Sequence, residues 1–269
     1  QILVTAGTSP AMLLLFGHLL DAGDEVVLSD PYYACYPNFI RYAEGRPVYV
    51  DVTESDGFQY RPEAIREKLG PRARAIVINS PANPTGAVLS AERIVAIAEL
   101  SRGDGPFIIS DEIYHGLSYV GRDRTVLEFT DRAFVLNGFS KAYAMTGWRL
   151  GWVIAPREHI RALQTLYGNF FISTNEFVQW AGVAALREAG DDSRRFRAIF
   201  DDRRRAIRTG SGGPRCRGTR PGAGRRGGPG RGCAIGPGSA APRGRRRRGT
   251  TRRPSRGTGS RRGTRPGRG

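Results

Sequence analysis

Apolar and polar positions along the first two hundred residues follow two periods in turn. Short β-branched runs occur at ILVT (2–5), EVVLSD (25–30), RPVYVDV (46–52), ARAIVINS (73–80), PFIISD (106–111), RAFVLNGF (132–139) and RLGWVIA (149–155), and these read as strands. Between them, PEAIREKL (62–69) and SAERIVAIAELS (90–101) carry apolar residues at helical spacing, the second opened by Ser90 with Glu92 and Arg93 in its first turn. An apolar helix from about Pro10 to Ala22 follows the first strand. This alternation predicts an α/β fold, a mostly parallel sheet with helices on both faces. From about Arg157 the pattern is helical only, through EHIRALQTLYGNF, EFVQWAGVAALREAG and DDSRRFRAIFDDRRRAIR.

In sheets of this kind, ligands sit beyond the carboxyl ends of the strands. The polar clusters fall at those places: AGTS after the first strand, SPANPTG after 73–80, DEIY after 106–111 and GFSK after 132–139.

Charge divides the chain. Of 42 basic residues, residues 1–208 hold 24, against all 25 acidic ones, whereas residues 209–269 hold the other 18, all arginine, and no acid. The overall +17 is therefore a property of the tail and does not make the body a polyanion binder. The body has the composition of a soluble domain large enough for a substantial core. The tail, rich in Gly, Arg and Pro, has Ile235 as its single large aliphatic residue and is expected to be disordered. Cys35, Cys216 and Cys233 suggest neither a disulfide framework nor a zinc site, so a cytoplasmic protein without a metal is expected. The longest apolar run, AMLLLF (11–16), is too short to span a bilayer.

Lys141, in NGFSKAYAMTGWRLGW (137–152), is one of two lysines in a chain with forty arginines. A lysine needed only for charge could be arginine. One that must attack a carbonyl carbon cannot, because guanidinium is never deprotonated. Lys141 follows the apolar run FVLNGF directly, and Arg149 lies eight residues on.

These motifs, in this order from about Ile2 to about Arg208, resemble the class I and II aminotransferases, enzymes of fold type I that depend on pyridoxal 5′-phosphate. SK followed by TGWR is similar above all to the aspartate, alanine and aromatic amino-acid aminotransferases. The resemblance implies roles residue by residue. Lys141 would be the Schiff-base lysine and proton shuttle, Arg149 a phosphate ligand, and Asp111 of DEIY the partner of the pyridine nitrogen. Tyr114 and Asn83 of NPTG would donate to the cofactor's phenolic oxygen. Tyr33 of DPYYACYP would stack on the ring, with Tyr32 and Tyr36 as neighbouring alternatives. Gly7, Thr8 and Ser9 would meet the phosphate at a helix N-terminus. Glu112 is expected to point elsewhere by strand alternation.

Departures accompany the matches. Three residues before the lysine, many members have a serine that touches the phosphate; here it is Gly138, so Ser140 or the Thr8–Ser9 loop is expected to supply donors instead. Members are longer at both ends. The resemblance therefore implies a large domain over 1–175, the helical start of an incomplete small domain over 176–208 and the tail over 209–269. Residues with GC-rich codons dominate that tail, which suggests a frameshifted reading of the small domain.

The implied activity is transfer of an amino group between an L-amino acid and a 2-oxo acid, by a ping-pong route in a homodimer. The same cofactor also serves β-elimination, and a chain lacking the substrate-gripping arginine of the small domain could be inactive. Electrostatic RNA binding through the tail is a reading of another class. The tail lacks the interleaved aromatics of such tracts, so no specific nucleic-acid partner is expected.

Overall fold

The computed structural model describes residues 1–209 apart from Val120; the rest of the tail, and with it the expectation of disorder there, lies outside the described residues. Seven strands form one sheet: β1 (Ile2–Thr5), β2 (Glu25–Asp30), β3 (Arg46–Asp51), β4 (Ala73–Asn79), β5 (Phe107–Asp111), β6 (Ala133–Gly138) and β7 (Gly151–Ile154). Their order is β1-β7-β6-β5-β4-β2-β3, parallel throughout except for β7, which runs antiparallel to both β6 and β1. Every run read as a strand in the sequence is one.

The strands are apolar at consecutive positions because both faces are buried. Val26, Leu28, Ala75, Val77, Ile109, Phe134 and Leu136 join one core cluster, and the intervening Val27, Ile76, Ile78, Ile108, Ala133 and Val135 join another. Helices α1 (Thr8–Leu19), α2 (Tyr36–Tyr42) and α5 (Arg157–Phe171) cover the first face; α3 (Pro62–Lys68) and α4 (Ala91–Glu99) cover the second. Ser90 caps α4 as expected, its side chain accepting from the Arg93 N–H at 3.3 Å. Helices α6 (Glu176–Glu188) and α7 (Gly190–Thr209) follow.

Two elements differ from the sequence reading. α1 begins at Thr8 rather than Pro10, which puts Pro10 inside the first turn, where a missing N–H costs nothing. α2 was not visible in the apolar pattern.

The single antiparallel strand matters for position. Between β6 and β7 there is only a 3₁₀ turn at Thr146–Trp148 and no crossover helix, so the chain doubles back. The lead-in to β7, with Arg149, therefore lies at the sheet edge where β1, β4, β5 and β6 end. One edge thus collects the loops after four strands and the loop before a fifth.

Candidate active site

A cavity of about 240 Å³ opens at that edge, lined by Thr8, Ser9, Tyr33, Asn83, Asp111, Tyr114, Ser140, Lys141 and Arg149, along with Met12, Tyr36, Asn79, Ile113 and Thr146. This is just under the roughly 300–1,000 Å³ of typical ligand clefts. Nine of the ten residues singled out in the sequence line it, and the tenth, Gly7, touches it through Arg149.

Asp111 ends β5 and is 4% exposed. Its Oδ2 accepts from the Tyr36 hydroxyl at 2.7 Å and its Oδ1 from the Ile113 N–H at 3.2 Å. Burial pushes its pKa up to about 6, the nearby Glu112 adds to the rise, and the two hydrogen bonds and the Lys141 charge oppose it. Glu112 points the other way, as alternation requires. It accepts from Ser110 Oγ at 2.9 Å, Thr125 Oγ1 at 3.0 Å and the Val126 N–H at 3.0 Å.

Lys141 is half-buried, and its Nζ lies 5.7 Å from the centre of the Tyr114 ring. Among the described residues it has no salt-bridge partner. Asn83 Nδ2 donates to the Tyr114 hydroxyl at 3.3 Å. Burial, followed by the Asp111 charge, raises the Tyr114 pKa, so this hydroxyl keeps its proton at neutral pH and is free to donate it to a ligand.

The DPYYACYP tyrosines separate by role. Tyr33 lines the cavity, whereas Tyr32 stacks on Tyr49 with ring centres 5.2 Å apart, away from it. Tyr36, 3% exposed, spends its hydroxyl on Asp111.

On the same cavity, α1 starts with Gly7 as its N-cap at φ 95°. A Cβ there would lie 2.6 Å from Arg149 Nη2, so only glycine admits the guanidinium this close to the helix start. Arg149 itself is held at φ 54°, a left-handed conformation uncommon for a side-chain-bearing residue. The result is a helix N-terminus, two hydroxyls and a guanidinium facing one space, a ready anion site.

Gly138 has a steric reason. A Cβ at that position would sit 2.8 Å from the Leu150 carbonyl and 3.0 Å from Gly151 Cα, where β6 meets the start of β7. Gly138→Ser will therefore lower stability by about 1–3 kcal/mol in urea unfolding and will not tighten phosphate binding. A variant as stable as the parent would show that the two strands separate easily.

Residues 1–210 match the family model for aminotransferase class I and II. The chain belongs to that family. Among aminotransferase relatives, it is 35% identical over 208 residues to an aspartate aminotransferase of Geobacillus stearothermophilus, covering 76% of this chain and 53% of that one. It is 40% identical over 211 residues to the (5-formylfuran-3-yl)methyl phosphate transaminase of Methanocaldococcus jannaschii, covering 77% and 54%. The solved aspartate aminotransferase of Thermus thermophilus with maleate superposes at a TM-score of 0.70 with 38% identity, over 74% of this chain and 52% of that one. The chain spans about half the length of the relatives it matches.

Class I and II aminotransferases depend on pyridoxal phosphate. The cavity of this family member fits that group in its donor set: its lining combines an anion cradle, a buried carboxylate and one primary amine.

Sequence reasoning named Tyr36 only as an alternative for stacking on the ring and did not name Asn79; both line the cavity. Both bond to Asp111, from 32 and 75 residues away in the chain, Asn79 by strand pairing and Tyr36 by the packing of α2.

Proposed function

We propose that this chain carries the cofactor-binding part of an aminotransferase that exchanges an amino group between an L-amino acid and a 2-oxo acid. The observation that carries this is the gathering of Lys141 and Asp111 on one cavity with the Gly7–Arg149 anion cradle. The aminotransferase names of the relatives support it.

When bound, pyridoxal phosphate supplies a reactive aldehyde carbon and an electron-withdrawing ring. The Lys141 amine would be the group that adds to such a carbon, with water leaving, and that later moves a proton at the substrate α-carbon. Asp111 holds a proton on the ring nitrogen, because a carboxylate that burial makes costly gains most from a cationic partner. Asn83 Nδ2 and the Tyr114 hydroxyl would donate to the phenolic oxygen. Thr8, Ser9, Ser140 and Arg149 would hold the phosphate, and Tyr33 would cover the ring.

The helices from 176 onward are the start of a second, smaller domain. We place the protein in the cytoplasm as a homodimer. Among the described residues, no helix is long and apolar enough to cross a membrane, and Cys35 is a free thiol. Exposed Ile2, Phe177, Trp180 and Leu186 offer apolar surface for association.

Purified protein mixed with pyridoxal phosphate, an L-amino acid and 2-oxoglutarate should produce glutamate. A bound cofactor that instead releases ammonia and pyruvate from serine or cysteine would favour elimination, and no uptake of cofactor would remove the reading.

A further inference from the structure

We propose that Asn79, at the C-terminal end of β4, is a positioning residue that sets the distance between the two polar ends of the cofactor ring's site. It does so by tying the backbone of Asn83 to that of Asp111. This rests on the cofactor reading above and assigns a role to a residue that reading does not use.

Asn79 pairs in register with Asp111 across β4 and β5. Its Nδ2 donates to the Asp111 carbonyl at 2.8 Å, and its Oδ1 accepts from the Asn83 N–H at 2.7 Å. Those partners fix the amide's orientation. Turned over, the amide would set its oxygen against the Asp111 carbonyl and its NH₂ against the Asn83 N–H, both repulsive. The Asp111 carbonyl also accepts from the Ser80 N–H at 3.3 Å.

The bonds close a ring. From Asn83, the side chain donates to the Tyr114 hydroxyl at 3.3 Å, and the chain from Tyr114 leads back to Asp111. In the cofactor reading, Asp111 would meet the nitrogen end of the ring, and Asn83 and Tyr114 would meet its oxygen end. The Asn79 amide is thus the one side chain in that closed ring to which the cofactor reading assigns no polar atom.

No other side chain does both jobs. Aspartate keeps the acceptor for Asn83 but sets a carboxylate oxygen against the Asp111 carbonyl. Alanine and serine do not reach across. A shift of about 1 Å between positioned groups can cost roughly 10²-fold, so loss of the tie should be felt at both ends.

The test uses the full chain. Asn79→Asp and Asn79→Ala are titrated with pyridoxal phosphate, and the visible absorbance band is followed against pH. Both variants should stay folded by circular dichroism and bind the cofactor about 10–100-fold more weakly. The pH midpoint of the band should move up, because donors that favour the phenolate are no longer in register.

A residue that only supports the fold would lower the melting temperature and leave the band's midpoint and the dissociation constant as in the parent; that result overturns the proposal. Hydrogen exchange on the parent chain gives a check that needs no variant: the Asn83 amide should be protected, and fast exchange there also overturns it. If the parent shows a Lys141-dependent band and the Asn79 variants reproduce it, the cofactor reading stands without the positioning role. If the parent shows no such band, both fall.

Discussion

Lys141→Ala will leave the protein folded and unable to form a reducible covalent bond with pyridoxal phosphate. After borohydride treatment, mass spectrometry should find the cofactor on the Lys141 peptide of the parent and on no peptide of the variant. Lys68→Ala is the control, since the other lysine lies exposed at the end of α3, remote from the cavity. Turnover should fall by at least about 10⁴-fold, the upper range for loss of a positioned proton-transfer group. Lys141→Arg should fail as completely as alanine, although it keeps the positive charge, because guanidinium neither loses its proton near neutral pH nor attacks a carbonyl carbon. If Lys141→Arg retained labelling or turnover, the role assigned to this amine would be wrong. The cavity supports the assignment geometrically: Lys141 is the one lysine on it, and its charge is felt by Asp111.

Much of this architecture is legible before any coordinates. β2 and β4 read clearly because a strand buried on both faces must be apolar at consecutive positions, and EVVL and AIVI are bounded by polar ends. α4 reads because Ser90 caps it and Ile94, Ile97 and Ala98 return to one side. α2 does not, since seven residues containing Pro37 give too few turns for a period to emerge.

The site divides along a similar line. Lys141, Asp111, Asn83 and Arg149 stand in motifs whose spacing sets them at strand ends, so the chain order already carries them. Tyr36 and Asn79 have no such signal. Tyr36 is one of three tyrosines in five residues, and what distinguishes it is a carboxylate 75 positions away. Asn79 looks like the last residue of an ordinary strand until its register with Asp111 is known. Gly138 also gained its explanation only from packing, because the Leu150 carbonyl that excludes a side chain belongs to the strand that doubles back.

Asp111→Asn will make the cofactor-free protein more stable at pH 8 while disabling it. The carboxyl of Asp111 ordinarily titrates at 3.8, and burial raises it to about 6 in the fold. Below 3.8 the folded and unfolded chains both hold the proton. As pH rises from 3.8 to about 6, the unfolded chain releases it and the folded chain does not, so stability falls across that window and the loss is complete above it. The shift corresponds to about 3 kcal/mol. Asparagine is neutral at every pH and can still accept from the Ile113 N–H and pair with the Tyr36 hydroxyl, so it escapes that cost. Thermal melts should show the variant and the parent nearly equal at pH 3.8, with the variant higher by roughly 6–12 °C at pH 8. Turnover with cofactor should fall on the order of 10³-fold, as for removal of a single preorganised charge from a reacting centre. The two effects meet in one place: burial makes the carboxylate costly in the cofactor-free fold, and in the proposed reading a cationic ring nitrogen would offset that cost. A variant no more stable than the parent at pH 8 would mean that Asp111 already has a sufficient partner, and its pairing with the ring would lose its physical basis.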